Sequence, residues 1–302
     1  MFETIKLNKE YWKNKIPYLK YGVPNPLNVF SRDIDKFSEA MTSFNFSGVY
    51  KTTQSGRHKQ TQLFLKNEAI KLAVLPVILD IGASDGSTSL DFLNTLNNTF
   101  KKYFVTDYNI KCTYCTYRGY TYFFNTKNAC FLVASKKFVF YPANKTLFSF
   151  LFKKPLLAVE NLPKDELLLI SKGLQEKQID NVRIQIKDYN IFEPWVQDKA
   201  DIVVVGNLLN QVYFTDSQIS TALKNCYDAL TENGILSIIR NFLLGDGSEV
   251  ENATIFKKNT TLKSFEKIHE INSGVEVANL VLSLNFEKED KYLDSALKYN
   301  GV

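Results

Sequence analysis

The chain has 302 residues, 45% of them hydrophobic, a net charge of +5 and four cysteines. That length and apolar content support a large core, and so few cysteines exclude a disulfide scaffold. The first ten residues mix charges, and no uninterrupted apolar run reaches the roughly 18 residues of a spanning helix, so a cytoplasmic protein in a reducing compartment is expected.

In chain order, residues 1–70 read as an N-terminal helical segment. It has a break at Tyr21-Gly-Val-Pro-Asn-Pro, a helical stretch from Asp33 to Phe44 and a helix from Thr61 to Leu75. Residues 71–302 read as one α/β domain. Residues 76–81 are an apolar strand that runs into small residues, Gly82-Ala83-Ser84-Asp85-Gly86. A helix from Ser87 to Asn97 follows, with Leu90, Phe92, Leu93 and Leu96 at helical spacing. Lys102 to Thr106 is a second strand, ending in Asp107.

A doubly wound protein makes its next helix and strand within about 30 residues. Here roughly 75 intervene, and residues 110–180 read as an insert. Tyr120 to Phe124, Ala129 to Ala134 and Lys137 to Pro142 alternate between polar turns, as in an antiparallel meander. A short, very apolar run from Thr146 to Leu157 has a basic edge, and Leu162 to Lys177 reads as a helix with Asp165 and Glu166 in its first turn. Between Lys101 and Pro155 ten Lys or Arg stand against one acid, Asp107, so this stretch carries +9 and the rest −4. With so many Phe and Tyr in the same stretch, its partner is expected to be anionic, amphipathic or both.

The main rhythm resumes with strands at Val182 to Asp188 and Asp201 to Gly206, and a helix from Asp216 to Leu230. Thr231-Glu-Asn-Gly234 is a turn with glycine where the backbone needs it. Ile235 to Arg240 is a fifth strand, and Ala253 to Lys257 and Phe265 to Ile271 are two more candidates. The expected fold is α/β: a doubly wound, seven-stranded, mostly parallel sheet with a β-rich insert after strand two.

The strand ends carry the chemistry. Asp80/Gly82, Asp107, Asp188 and Gly206-Asn207 fall at the carboxyl edge of such a sheet, where ligands bind at the switch of strand order. Carboxylates accept hydrogen bonds from hydroxyls and ammonium groups and repel phosphate. A dinucleotide pyrophosphate wants Gly-x-Gly-x-x-Gly with no acid beside it, whereas Asp80 and Asp85 flank this loop. The ammonium and sulfonium of S-adenosylmethionine tolerate those acids, so that ligand is favoured over NAD. Asp85 reads equally well as an acid favoured by the helix dipole, and Asp188-Tyr-Asn190 as a simple turn.

At this point the chain resembles the class I (Rossmann-like) S-adenosylmethionine-dependent methyltransferases, from about Val77 onward, the insert excepted. Asp80-Ile-Gly82-Ala83-Ser84-Asp85-Gly86 resembles the family's Asp-x-Gly-x-Gly-x-Gly loop, with Ser84 in place of the middle glycine. The resemblance implies that Asp107 holds the ribose hydroxyls and that Asp188 and the Tyr189 amide meet the adenine. It also implies that Gly206-Asn207-Leu-Leu-Asn210 faces the methyl group. Ala229 to Ile238 is similar to the family's turn into strand five.

The reaction expected is methyl transfer to a small-molecule, sugar or glycolipid acceptor, at oxygen. The sugar preference comes from a loose resemblance to methyltransferases of bacterial surface-polysaccharide pathways. No Asn-Pro-Pro-Tyr run follows strand four, so the signature of amino-group nucleic-acid methyltransferases is absent. His58 is a candidate base in a polar loop, with Arg57 a candidate carboxylate clamp; Asn207 and Asn210 are candidates for orienting the acceptor or for capping their loop. His269 reads as structural.

Cys112-x-x-Cys115 with Cys130 lacks a fourth ligand and a second close pair, so no metal is expected. Phe148, Phe150, Leu151 and Phe152 with Lys153 and Lys154 suggest contact with an anionic membrane surface or a lipid-linked acceptor, at the inner membrane face. The alternative is that the aromatics pack the meander and the lysines rim it. Basic and aromatic residues interleave without an RNA-binding signature, so nucleic acid is not expected. Two other functional classes stay open: a noncatalytic subunit of the same fold that docks a partner through the basic insert, and an NAD-dependent oxidoreductase.

Overall fold

The computed structural model describes residues 18–19, 24–46, 49–51, 54–136, 138–142, 149–245 and 248–287. In its first third lie strands β1 (Tyr18–Leu19), β2 (Asn45–Phe46), β3 (Val49–Tyr50), β4 (Val77–Ile81) and β5 (Lys102–Asp107), with helices α1 (Ile34–Met41), α2 (Lys59–Lys71) and α3 (Ser87–Leu96). Then come β6 (Lys111–Tyr117), β7 (Tyr120–Phe124), β8 (Cys130–Ala134), β9 (Phe138–Phe140), α4 (Ser149–Glu160), β10 (Asp165–Leu168) and α5 (Lys172–Asp180). The chain continues through β11 (Ile184–Asp188), β12 (Ala200–Gly206), α6 (Asp216–Ala229), β13 (Leu230–Leu243), β14 (Glu249–Asn259), β15 (Ser264–Ile271) and α7 (Ala278–Ser283).

Seven strands form one mostly parallel sheet in the order β11-β5-β4-β12-β13-β14-β15. β12 runs parallel to β4 and to β13, and β13, β14 and β15 close the sheet as an antiparallel meander. The chain leaves β4 outward through β5 and β11 and returns to β12 on its other side, so the strand order switches beside β4. The five residues of β4 are all buried, which is why the strand reads as one apolar run.

Residues between β5 and β11, joined by Tyr18–Leu19, form a second sheet, β1-β9-β8-β7-β6-β10, antiparallel at every pairing. Side chains alternate across it. Cys112, Phe123, Leu132 and Val139 join Phe37, Met41 and Phe44 in one core, whereas Cys115, Tyr122, Phe124, Val133 and Phe140 pack with Val159 of α4 in another. Each buried aromatic or aliphatic side chain contributes about 1.5–3 kcal/mol, so the aromatic content of this stretch is largely its two cores.

Two local expectations are corrected. Leu162 to Lys177 is not one helix: Asp165–Leu168 pairs with Lys111–Tyr114 of β6, and the helix begins only at Lys172. The pairing sets Lys111 and Glu166 2.9 Å apart and gives Leu167 a place against the first of these cores, which a helix starting at Pro163 would forgo. The apolar run after Thr146 forms a helix, α4, that contains Pro155. The turn expected at Thr231–Gly234 falls in the first residues of β13, where the left-handed residue is Asn233 (φ 59°), not Gly234. Gly234 is needed for space: a Cβ there would lie 2.9 Å from Leu230 Cδ2 and 3.1 Å from the Thr231 carbonyl.

Contacts cluster into two discontinuous units, 1–56 with 83–94 and 105–188, and 57–82 with 95–104 and 189–302. No helix among the described residues is long and apolar enough to cross a membrane.

Candidate functional site

In the first unit the loop after β4 is shaped by left-handed backbone. Ser84 has φ 58° and Gly86 φ 78°, conformations that cost a residue with a Cβ roughly 1–2 kcal/mol. A Cβ on Gly86 would also lie 2.3 Å from Leu174 Cδ2, so only glycine fits. Ser84 bears its strain, and its hydroxyl is buried with no hydrogen-bond partner among the described residues.

Asp107, at the end of β5, is tied to that loop. Its Oδ2 accepts from the Ser84 amide at 2.9 Å and its Oδ1 from the Asn109 amide at 2.9 Å, while the Ala83 amide donates to the Thr106 carbonyl. Lys51 completes the cluster. Its ammonium, on a side chain only 5% exposed, donates to Asp107 Oδ1 at 2.7 Å and to the Ser84 carbonyl at 3.0 Å. Downstream of Lys51, the Ser55 hydroxyl and the Gly56 amide donate to the carboxylate of Asp91 on α3.

Asp85 is 0% exposed. It accepts from Ser38 Oγ at 2.7 Å and from the Ser87 amide at 2.9 Å, so it caps α3. This is the geometry of the helix-terminus reading that the sequence left open beside ligand contact. Asp188 ends β11 with an exposed side chain.

In the second unit Asp80 is buried and accepts from the Tyr103 hydroxyl at 2.9 Å. Gly82 (φ 75°) approaches Leu208, whose Cδ2 would be 3.0 Å from a Cβ. Tyr189 packs edge-on against Trp195 and donates to the Glu193 carbonyl; burial pushes its phenol pKa well up. Asn210 caps its own loop, donating to the Leu208 carbonyl and accepting from the Val212 and Tyr213 amides.

Gly206, Asn207 and His58 meet at the end of β12. A Cβ on Gly206 would lie 2.8 Å from His58 Cε1, so the glycine makes room for the imidazole. Asn241 of β13 joins them. Its amide donates to Asn207 Oδ1 at 2.7 Å, and its Nδ2 donates to the Arg57 carbonyl at 3.1 Å. That leaves Asn241 Oδ1 to accept from Asn207 Nδ2 at 2.9 Å and from His58 Nε2 at 2.8 Å. The ring therefore carries its proton on Nε2 and a lone pair on Nδ1. Burial, with the Arg57 charge adding to it, pushes the His58 pKa down to about 3 against the pull of the Asn241 hydrogen bond.

His58 is the N-cap of α2 but gives the helix no side-chain bond. Glu251 of β14 does so instead, accepting from the Gln60 and Thr61 amides at 3.0 and 2.9 Å. Lys51, Asn241 and Glu251 are functional-site neighbours that sequence reasoning missed. His269 stacks on Phe64 with ring centroids 4.2 Å apart.

Cys112 and Cys115 lie three apart on β6 and so face opposite sides of the sheet, in different cores. Burial pushes the Cys112 and Cys130 thiols up to about 12. Among the described residues no three acid, histidine or cysteine side chains gather in a way that could hold a metal. Lys153 and Lys154 are exposed on α4, whereas Phe148 and the side chains of Phe150, Leu151 and Phe152 lie outside the described residues.

No family model and no curated protein matches this chain. Among solved structures it is similar to the S-adenosylmethionine-dependent methyltransferase SibL, at 13% identity and TM-score 0.33 over 63% of this chain and 38% of that one. It is also similar to the N-methyltransferase NodS from Bradyrhizobium japonicum WM9 in complex with S-adenosyl-L-homocysteine, at 12% identity and TM-score 0.33 over 66% and 68% of the two chains. A third likeness is to an S-adenosylmethionine-dependent methyltransferase from Clostridium acetobutylicum ATCC 824, at 10% identity and TM-score 0.34 over 74% and 78%. The first two structures found align over only 38% and 42% of their own lengths. At that similarity, what this chain does has to be read from its own residues.

Proposed function

We propose that the chain is an S-adenosylmethionine-dependent methyltransferase. The observation that carries this reading is the tie between the two elements beside the strand-order switch: the Ser84 amide on the Asp107 carboxylate at 2.9 Å. It sets an acid that can accept ribose hydroxyls beside a loop with left-handed residues and a buried hydroxyl at Ser84 that has no partner among the described residues. Donor and acceptor chemistry at that loop fits the group: Ser84, Asp107 and the exposed Asp188 would hold it, with Ala83 and Gly86 shaping the backbone. When bound, S-adenosylmethionine supplies an electrophilic methyl on sulfonium.

The chain's own residues supply alignment. In-line displacement depends on holding the acceptor in a near-attack geometry, and His58 and Asn207, the candidates read from the sequence, are retained for that task. With Nε2 committed to Asn241, Nδ1 is left to accept a hydrogen bond from an acceptor hydroxyl. With its pKa down at about 3, the imidazole stays neutral through the ordinary pH range. For the acceptor we retain a small molecule, sugar or glycolipid methylated at oxygen, with the surface-polysaccharide resemblance as the ground for the sugar. The exposed Lys153 and Lys154 support docking at an anionic membrane face.

A second reading has one observation in its favour: the Lys51–Asp107 ion pair fills much of the acid's capacity, as a noncatalytic docking subunit would tolerate. Thermal stabilisation separates a cofactor-binding protein from an empty pocket. S-adenosylhomocysteine at 100 times its Kd should add about 2.7 kcal/mol, a shift that Asp107→Ala removes. No shift in the wild type with this compound, or a shift with NAD instead, would overturn the methyltransferase reading.

A further inference from the structure

Asp107 has little acceptor capacity to spare. Oδ1 takes the Lys51 ammonium at 2.7 Å and the Asn109 amide at 2.9 Å, and Oδ2 takes the Ser84 amide at 2.9 Å. A carboxylate offers about four lone-pair positions, so the described residues leave one. A ribose diol brings two hydroxyl donors and needs two. Of the three groups on the acid, two donate from the main chain and are fixed by the loop and by β5. Lys51 alone donates from the end of a flexible side chain.

Releasing Lys51 creates a second requirement. Its side chain is 5% exposed, and a buried ammonium without a counter-ion is strongly disfavoured. The Ser84 carbonyl at 3.0 Å is neutral and does not replace the lost charge. Whatever takes Asp107 must therefore also satisfy Lys51.

We propose that Lys51 is a displaceable lock on Asp107, opened by a ligand that brings a vicinal diol for the acid and a carboxylate for the ammonium. This rests on the methyltransferase reading, because an S-adenosyl amino acid carries both groups on one molecule. Adenosine carries the diol without the carboxylate. The lock thus selects the whole cofactor over its nucleoside fragment, and it couples occupancy of the acid to a change of partner at Lys51.

Calorimetric titration of the full chain with adenosine and with S-adenosylhomocysteine tests this, using the wild type, Lys51→Met and Lys51→Gln. The wild type should bind S-adenosylhomocysteine at least roughly tenfold more tightly than adenosine. Both variants should tighten adenosine roughly tenfold and narrow the gap between the two compounds. Lys51→Gln keeps a donor for the Ser84 carbonyl and serves if the methionine variant does not fold.

Unchanged or weakened adenosine binding in the folded variants would make Lys51 a structural clamp and overturn the lock. An equal gain for both compounds would overturn the carboxylate half. Adenosine binding by the variants but not by the wild type, with S-adenosylhomocysteine bound by the wild type, supports the lock. No binding of S-adenosylhomocysteine by any of the three proteins removes the methyltransferase reading and the lock with it.

Discussion

The two polar clusters at the strand ends solve the same problem in opposite ways. Around Asp107 charge is matched by charge: one carboxylate, one buried ammonium and two backbone amides. Around Asn241 charge is avoided: two amides and an imidazole with its pKa depressed to about 3 share neutral hydrogen bonds. A buried ion pair gains in attraction about what it loses in desolvation, so a ligand that supplies equivalent partners can replace it at small net cost. A closed ring of neutral donors and acceptors offers a newcomer only what is left over, here the Nδ1 lone pair. The contrast makes the first cluster suited to exchange and the second to positioning.

The largest test of the contrast removes one charge. Asp107→Ala leaves the Lys51 ammonium buried without a counter-ion, which should cost about 3–5 kcal/mol. Asn241→Ala leaves only neutral groups unpaired and should cost about 1–3 kcal/mol. Urea unfolding of both variants measures the difference. Equal losses would mean that the Asp107 cluster is not governed by its charges.

Acidification probes the other cluster. His58 has a folded pKa of about 3, below its ordinary 6.5, so below pH 6.5 the unfolded chain takes up a proton that the folded chain refuses. Its contribution to stability is therefore complete above pH 6.5 and declines as the pH falls toward 3. The slope is about 1.4 kcal/mol per pH unit in the middle of that window. His58→Gln, which keeps a donor for Asn241 Oδ1, should lack this slope. Unfolding free energies of wild type and variant should converge between pH 6 and pH 4; parallel curves would show that His58 protonates freely in the folded protein.

How far each cluster was visible in the sequence follows from the range of its contacts. β4, the loop to Gly86, β12 and α6 are local patterns, an apolar run or a helical period, and were legible. So were Asp107 and Asp188, because a polar residue ending an apolar strand is itself a local signal. Lys51 was not, since 56 positions separate it from Asp107 and its own neighbourhood is a polar loop. A faint signal did exist: Asp107 is the only acid in a strongly basic stretch and was bound to find a cation. Asn241 and Glu251 sit at the ends of long strands, where asparagine and glutamate read as solvated. β10 was hidden for another reason, because its Asp-Glu start imitates a helix N-terminus and its pairing partner lies some fifty residues upstream. Asp85 shows the converse case, a residue legible as important whose role, cap or contact, only packing decides.

The smallest effect returns to the residue that departs from the glycine-rich pattern. Ser84 stands in left-handed backbone at φ 58° and buries a hydroxyl that has no partner among the described residues. Ser84→Gly removes a steric cost of roughly 1–2 kcal/mol and an unmet desolvation of about 1–3 kcal/mol, against an entropic loss of about 0.5–1 kcal/mol. A net gain of at least about 1 kcal/mol should appear as a higher urea midpoint without a change in slope. The amide and carbonyl of residue 84, which hold Asp107 and Lys51, are untouched by the change. If the serine is there for a ligand, the stabilised variant should bind S-adenosylhomocysteine more weakly than the wild type. If binding is unaffected while stability rises, the hydroxyl takes no part, and the Asp107 cluster meets its ligand through charge and backbone alone.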